Sequence, residues 1–121
     1  MSIQFVLVIS DCVAGREDEY NDYYDQRHIP DIMAHEPEVV AAQRFAVCRH
    51  FGPEGLPMWR FSTLYTVETE DMDAYLARST ELMKSGKIPP SDAAMPATAA
   101  VFHLLPLGEA ITRTDLAPSP R

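Results

Sequence analysis

Tyr20-Asn21-Asp22-Tyr23-Tyr24-Asp25-Gln26-Arg27-His28-Ile29-Pro30-Asp31 is the stretch from which the rest of the chain is read. Its aromatic and titratable residues recur at helical spacing, and it closes on a His-x-Pro. Tyr20, Tyr24 and His28 stand at i, i+4 and i+8, so a helix stacks them along one face. Two phenols and an imidazole are too polar for plain core and too aromatic for plain surface. Such a face suits a helix that lines a small pocket able to transfer protons. The helix is predicted over Arg16 to His28, with Glu17, Asp18 and Glu19 favoured by the dipole of its first turn. Pro30 lacks a backbone donor and is expected to end or kink it. Asp31 to His35 then fits a second short helical turn, because Pro is tolerated at a new helix's first position.

The flanking segments read as strands. Ile3 to Ser10 (IQFVLVIS) is an apolar, β-branched run suited to a strand buried on both faces. After the turn Glu36-Pro37-Glu38, Val39 to Phe51 is predicted as a second strand. Gly52 to Pro57 is a Pro- and Gly-rich loop. Met58 to Val67 is predicted as a third strand, with Trp59, Phe61, Thr63, Tyr65 and Val67 on one face. Thr69 is the expected N-cap of a second helix, with Asp71 and Asp73 in its first turn. Met72, Tyr75, Leu76, Ser79, Leu82 and Met83 form its stripe, and Gly86 is its stop. Lys87 to Pro96, rich in Pro, is an ordered loop or lid. Ala97 to Leu105 is the fourth strand.

The order βαββαβ predicts an α+β, ferredoxin-like domain: a four-stranded antiparallel sheet with two helices on one face. Its bounds are residues 1–107, with a C-terminal tail at 108–121 carrying Pro118 and Pro120. Phe5, Leu7, Val101 and Leu105 make the strands apolar on both sides, while the helices cover only one. A homodimer pairing sheet to sheet is the expected solution.

Composition narrows the function. A chain of 121 residues has room for one core. Its 46% hydrophobic content is that of a globular protein. A formal net charge of −8 argues against nucleic acid and against an anionic membrane surface. No apolar run approaches the ~20 residues that span a bilayer, and the N-terminus carries no basic leader. The expectation is a soluble, cytoplasmic protein. Cys12 and Cys48 are far apart and read as two small, partly buried thiols. The four His residues have no metal-binding spacing, and there is no phosphate loop, dinucleotide fingerprint or nucleophile elbow. No metal and no cofactor are expected.

Tyr20 to Ile32, followed by Pro37-Glu38-Val39-Val40-Ala41-Ala42-Gln43-Arg44-Phe45, resembles the EthD-like group of dimeric α/β-barrel proteins. The helix of that group carries Tyr-Asp, two variable residues, then His, a hydrophobe and Pro. Here these are Tyr24-Asp25 and His28-Ile29-Pro30, with Tyr23 before them. The turn departs from the pattern, with Glu38 where Gly is usual. The resemblance implies a dimeric α/β barrel and a pocket between the helices and the sheet of each subunit. It also implies cofactor-free chemistry on small cyclic or aromatic molecules, although the wider superfamily includes oxygenases and haem-binding branches, so the fold does not choose the reaction.

His28 is the candidate general base or acid, or else a cap at a helix C-terminus. Tyr24, one turn earlier, can donate to a substrate carbonyl or developing enolate, or simply pack. Asp25 can orient His28 from three residues away, or face solvent, and the same holds for Asp31. Tyr20 is a weaker ligand-binding candidate. Arg44, like Arg27, can bind a carboxylate or enolate, or pair with surface acids. Trp59 and Tyr65 can stack on a flat ring, or belong to core or interface. His103 can line the pocket from the sheet, or sit satisfied in the core. The resulting expectation is an isomerase, cyclase or lyase that uses His28 to move a proton. The rivals are a cofactor-independent oxygenase and a non-catalytic accessory protein that binds the same small molecule.

Overall fold

The computed structural model describes residues 2–95 and 98–116. The elements run β1 (Ile3–Ser10), α1 (Glu17–Tyr23), a π-helical turn (Tyr24–His28), α2 (Ile29–His35), β2 (Val39–Ala46), β3 (Phe61–Glu68), α3 (Met72–Lys84) and β4 (Ala100–Leu104). The sheet order is β2-β3-β1-β4, with every neighbouring pair antiparallel. This is the ferredoxin-like topology, an α+β fold. Among the described residues no helix is long and apolar enough to cross a membrane.

Register divides the sheet into two faces. Val6 and Val8 of β1 stand opposite Tyr65 and Thr63 of β3, and opposite His103 and Val101 of β4. This is the helix-covered face. Its core joins Val6, Tyr65 and Val67 to Ile32 of α2, Met72 and Tyr75 of α3, and Ile88 beyond α3. Complete burial of Ile88 and Val67 contributes about 1.5–3 kcal/mol each. The opposite face carries Phe5 against Leu104, and Leu7 against both Leu64 and Phe102. Phe102 is 44% and Leu104 42% exposed.

Pro30 does not end the first helix. The missing N–H and the proline ring both trouble the carbonyl four residues back. The chain answers with a wider turn just before the proline, where the Ile29 N–H bonds to the Tyr24 carbonyl, five residues back. One residue is thus absorbed without leaving helical geometry, as in other π-bulges.

The strands are shorter than the apolar runs that suggested them. β2 stops at Ala46 because its partner begins at Phe61, the residue opposite it. Residues 47–60 therefore form a connection, with Phe51 fully solvated. For the same reason Met58 and Trp59 precede β3. Of the Ala97 to Leu105 run, β4 keeps only Ala100–Leu104, and Ala97 lies outside the described residues. The cap of α3 is Asp71, not Thr69. The Asp71 carboxylate accepts from the Ala74 N–H at 3.0 Å, while the Thr69 hydroxyl accepts from the Asp71 N–H at 3.1 Å. Gly86, at φ +80°, takes the left-handed position that stops α3.

The 87–95 segment is an ordered loop. Ala93 is buried and its carbonyl accepts from the Val13 N–H at 2.8 Å, and Asp92 pairs with Arg16 at 2.7 Å. It packs beside the start of α1, and none of its residues covers the cavity described below. Pro96, Pro118 and Pro120 lie outside the described residues. From Leu105 to Leu116 every residue is exposed.

Candidate active site

A cavity of about 280 Å³ lies between the first helical layer, α3 and the sheet. Val6, Val8 and Val101 form its floor, and Ile32, Leu76 and Met83 its apolar walls. Its polar groups are the side chains of Tyr24, His28, Glu36, Tyr65, Tyr75 and Ser79, with Thr80 beside them.

Tyr20, Tyr24 and His28 do share one helix face. Their ring centroids follow at 4.9 Å and 4.8 Å. Position along that face separates their roles. Tyr20 is fully buried against Phe61 and hydrogen-bonds Ser10, away from the cavity, whereas Tyr24 and His28 line it.

The tautomer of His28 follows from its neighbours. The Tyr23 hydroxyl donates to the Pro89 carbonyl at 2.6 Å and lies 3.0 Å from His28 Nδ1. A phenol has one proton to give, so its oxygen accepts from Nδ1–H. Burial raises the Tyr23 pKa to about 12, which keeps the phenol intact as that donor. Nε2 therefore carries the lone pair, the form that accepts a proton. Burial lowers the His28 pKa to about 4, with Asp31 opposing and Arg44 adding to the shift. The imidazole is neutral throughout the physiological range.

The π turn produces this pairing. Tyr23 and His28 are five residues apart, one full π-helical turn, and their rings stack at 5.3 Å. A regular α-helix would carry Tyr23 to a different face; here the imidazole keeps Tyr24 beside it and gains Tyr23.

Asp25 accordingly does not orient His28. It is half exposed and lies 3.7 Å from Arg44. Arg44 donates to Asn21 at 2.8 Å and stacks over the Tyr24 ring at 4.6 Å. It supports Tyr24 from behind and does not line the cavity. Trp59 donates its indole N–H to the Thr98 carbonyl, and His103 pairs with Gln4; both are outside the cavity lining. Tyr65 does line it, from β3. The structure thus gathers Tyr24, His28 and Tyr65 at one cavity and separates Asp25, Tyr20, Arg44, Trp59 and His103 from it.

Glu36 does not stand out in the sequence. It caps the C-terminus of α2, is 0% exposed, and neither carboxyl oxygen has a hydrogen bond of good geometry. Burial raises its pKa, and the neighbouring Tyr75 and Ser79 hydroxyls only partly offset this. The turn-like Glu-Pro-Glu context gives no signal of burial, since glutamate in a turn is ordinarily solvated. Tyr23 escapes sequence reasoning because a 3.6-residue period sends it to a different face from His28. Among the described residues no group of three or more His, Cys, Asp or Glu is arranged to hold a metal ion.

Together the fold and cavity define a ferredoxin-like α+β protein with a ligand-sized pocket between helices and sheet. No protein-family model matches the chain, and no curated protein matches it. Among solved structures it is similar to the crystal structure of an ethyl tert-butyl ether (EthD) family protein from Bacillus halodurans. That similarity has 13% sequence identity, 92% coverage of this chain, 100% of the other and a TM-score of 0.47.

Proposed function

We propose that the protein is an enzyme that transfers a proton on a small cyclic or aromatic molecule without a cofactor, by isomerisation, cyclisation or elimination. The observation that carries this reading is the Tyr23 hydroxyl, which donates to the Pro89 carbonyl and lies 3.0 Å from His28 Nδ1, and so leaves Nε2 as the accepting nitrogen of a residue that lines the cavity. In this reading Nε2 takes a proton from carbon. The Tyr24 hydroxyl, on the same wall, donates to the oxyanion that forms. A base with a pKa of about 4 is weak in the empty cavity. Negative charge developing beside the new imidazolium stabilises it and strengthens the base as the reaction proceeds.

Hydrogen–deuterium exchange at the α-carbons of a panel of cyclic ketones, followed by NMR, tests this. The wild type accelerates exchange, and His28→Ala loses roughly 10²- to 10⁴-fold while still binding. The weak resting basicity of His28 favours one rival, a binding protein that holds the same molecules without turning them over. Ligand binding with no catalysed exchange in the wild type supports that rival.

We also propose that the apolar outer sheet face pairs with that of a second copy. Phe5, Leu7, Phe102 and Leu104 form a contiguous patch there by register, with the exposed Phe45 on β2 of the same face.

A further inference from the structure

We infer that the cavity takes an uncharged one- or two-ring ligand bearing a hydroxyl or carbonyl, with Glu36 held in its wall as a neutral carboxylic acid that stores the proton for that oxygen. This rests on the proposed proton-transfer reading and narrows its substrate class.

Charge decides the ligand. Among the described residues no Lys or Arg lines the cavity. The nearest guanidinium behind its helical wall, that of Arg44, is committed to Asn21 and to the outer side of the Tyr24 ring. A carboxylate ligand entering here loses its hydration and meets no countercharge, a cost of several kcal/mol. An ionised Glu36 adds repulsion to that cost. Size decides the rest. The volume of about 280 Å³ is roughly twice the ~150 Å³ cavity that admits benzene.

Burial is what disfavours ionisation of Glu36, and Glu38 on the same turn adds to it, while the Tyr75 and Ser79 hydroxyls and Arg78 pull the other way. Arg78 is itself paired to Glu38. A buried carboxyl with no hydrogen bond of good geometry is most stable protonated. With no accessible surface of its own, it exchanges a proton with a ligand through the hydroxyl of Tyr75 or Ser79, both at the cavity wall. Glu36 is thus a positioning and proton-storing residue.

The proton account closes. The ligand C–H bond breaks toward His28 Nε2, and its electron pair forms a C=C bond. The carbonyl π pair moves to oxygen, which takes a proton from the hydroxyl as that hydroxyl takes the proton of Glu36. In a β,γ-unsaturated ketone the intermediate is a dienol. The oxygen's proton returns along the same hydroxyl, C=O re-forms, the π electrons shift along the diene, and the γ-carbon takes the His28 proton. This restores both groups and leaves the C=C bond in conjugation. No oxidant or reductant is needed.

Three probes that share one naphthyl ring test the charge rule by calorimetry on the full chain: 2-naphthol, 2-naphthoate and 2-naphthylmethylammonium. The expected result is binding of 2-naphthol at least about tenfold tighter than either ion. Equal or tighter binding of an ion, or no binding of 2-naphthol, overturns the inference. Glu36→Gln, which keeps the shape and removes the titration, tests the acid. Wild-type affinity for 2-naphthol changes with pH above the ordinary glutamate range, and the variant's does not. His28 titrates at about 4, burial raises Tyr65 and Tyr75, and Arg78 lowers Glu38, whereas burial raises Glu36. An NMR titration of the wild-type Glu36 carboxyl carbon reads the same event should the variant not fold, and an ordinary glutamate pKa there overturns the assignment. His28→Ala keeps the charge preference, so failure of this inference is distinguishable from failure of the catalytic reading.

Discussion

The Tyr23 hydroxyl and His28 Nδ1 lie 3.0 Å apart across one π-helical turn, and this contact decides which imidazole nitrogen is left to accept a proton. Tyr23→Phe removes it. Nitrogen-15 NMR is expected to show the Nδ1–H tautomer in the wild type and a mixture in the variant. Stability falls by about 1 kcal/mol for the lost hydrogen bonds. An unchanged tautomer in the variant would show that something other than Tyr23 sets it.

Acid should unfold the protein partly through His28. In the unfolded chain this residue takes up a proton below the ordinary imidazole value of 6.5, while the folded protein resists protonation until about 4. Stability is therefore lost as pH falls through that window, by on the order of 3 kcal/mol at the full shift. His28→Gln, measured by urea unfolding at a series of pH values, should have a shallower slope there. Equal slopes would mean His28 is not held neutral.

Glu36→Gln should stabilise the fold, by about 1–3 kcal/mol near neutral pH. The folded pKa of Glu36 is raised by burial. Its contribution is thus present below the unfolded pKa and is lost as pH rises through the folded one. The advantage of the Gln variant grows with pH and nearly vanishes in acid. Thermal melts across pH read this, and a variant that is less stable at pH 8 than at pH 4 relative to wild type contradicts it.

Arg44 is expected to act on stability and not on ligand charge. Arg44→Ala removes its stacking on Tyr24 and its bond to Asn21, costing about 1–2 kcal/mol. Binding of a neutral ring should persist. Loss of binding for an anionic ring alone would instead make Arg44 a direct ligand.

The sheet-to-sheet homodimer is checked by light scattering at micromolar concentration. Phe102→Glu places a charge in the exposed apolar patch and should give a folded monomer. A wild-type monomer, or a variant that stays dimeric, sinks this proposal.

The βαββαβ order is legible because strand and helix periods differ and Pro and Gly mark their ends. Ile3–Ser10 and the stripe of α3 can be read directly from side-chain spacing. Strand ends cannot, because a strand persists only while a partner runs beside it: the last bond of this pairing is from the Val47 N–H to the Arg60 carbonyl at 2.8 Å, and the ladder does not continue over Cys48 to Phe51. The stacking of Tyr20, Tyr24 and His28 follows from sequence alone, since local geometry fixes neighbours one turn apart. Which of those rings meets the cavity does not. That depends on how the sheet and the 87–95 loop bury Tyr20, with Phe61, Ser10 and Ala93 around it, while α3 and the sheet enclose the cavity that Tyr24 and His28 line. The pairing of His28 with Tyr23 needs the wider turn that accommodates Pro30. The burial of Glu36 needs Tyr75 and Ser79 to arrive from a helix some forty residues away. Local order is set by side-chain periodicity, and the chemistry of the site by long-range packing, which alone fixes burial, tautomer and charge.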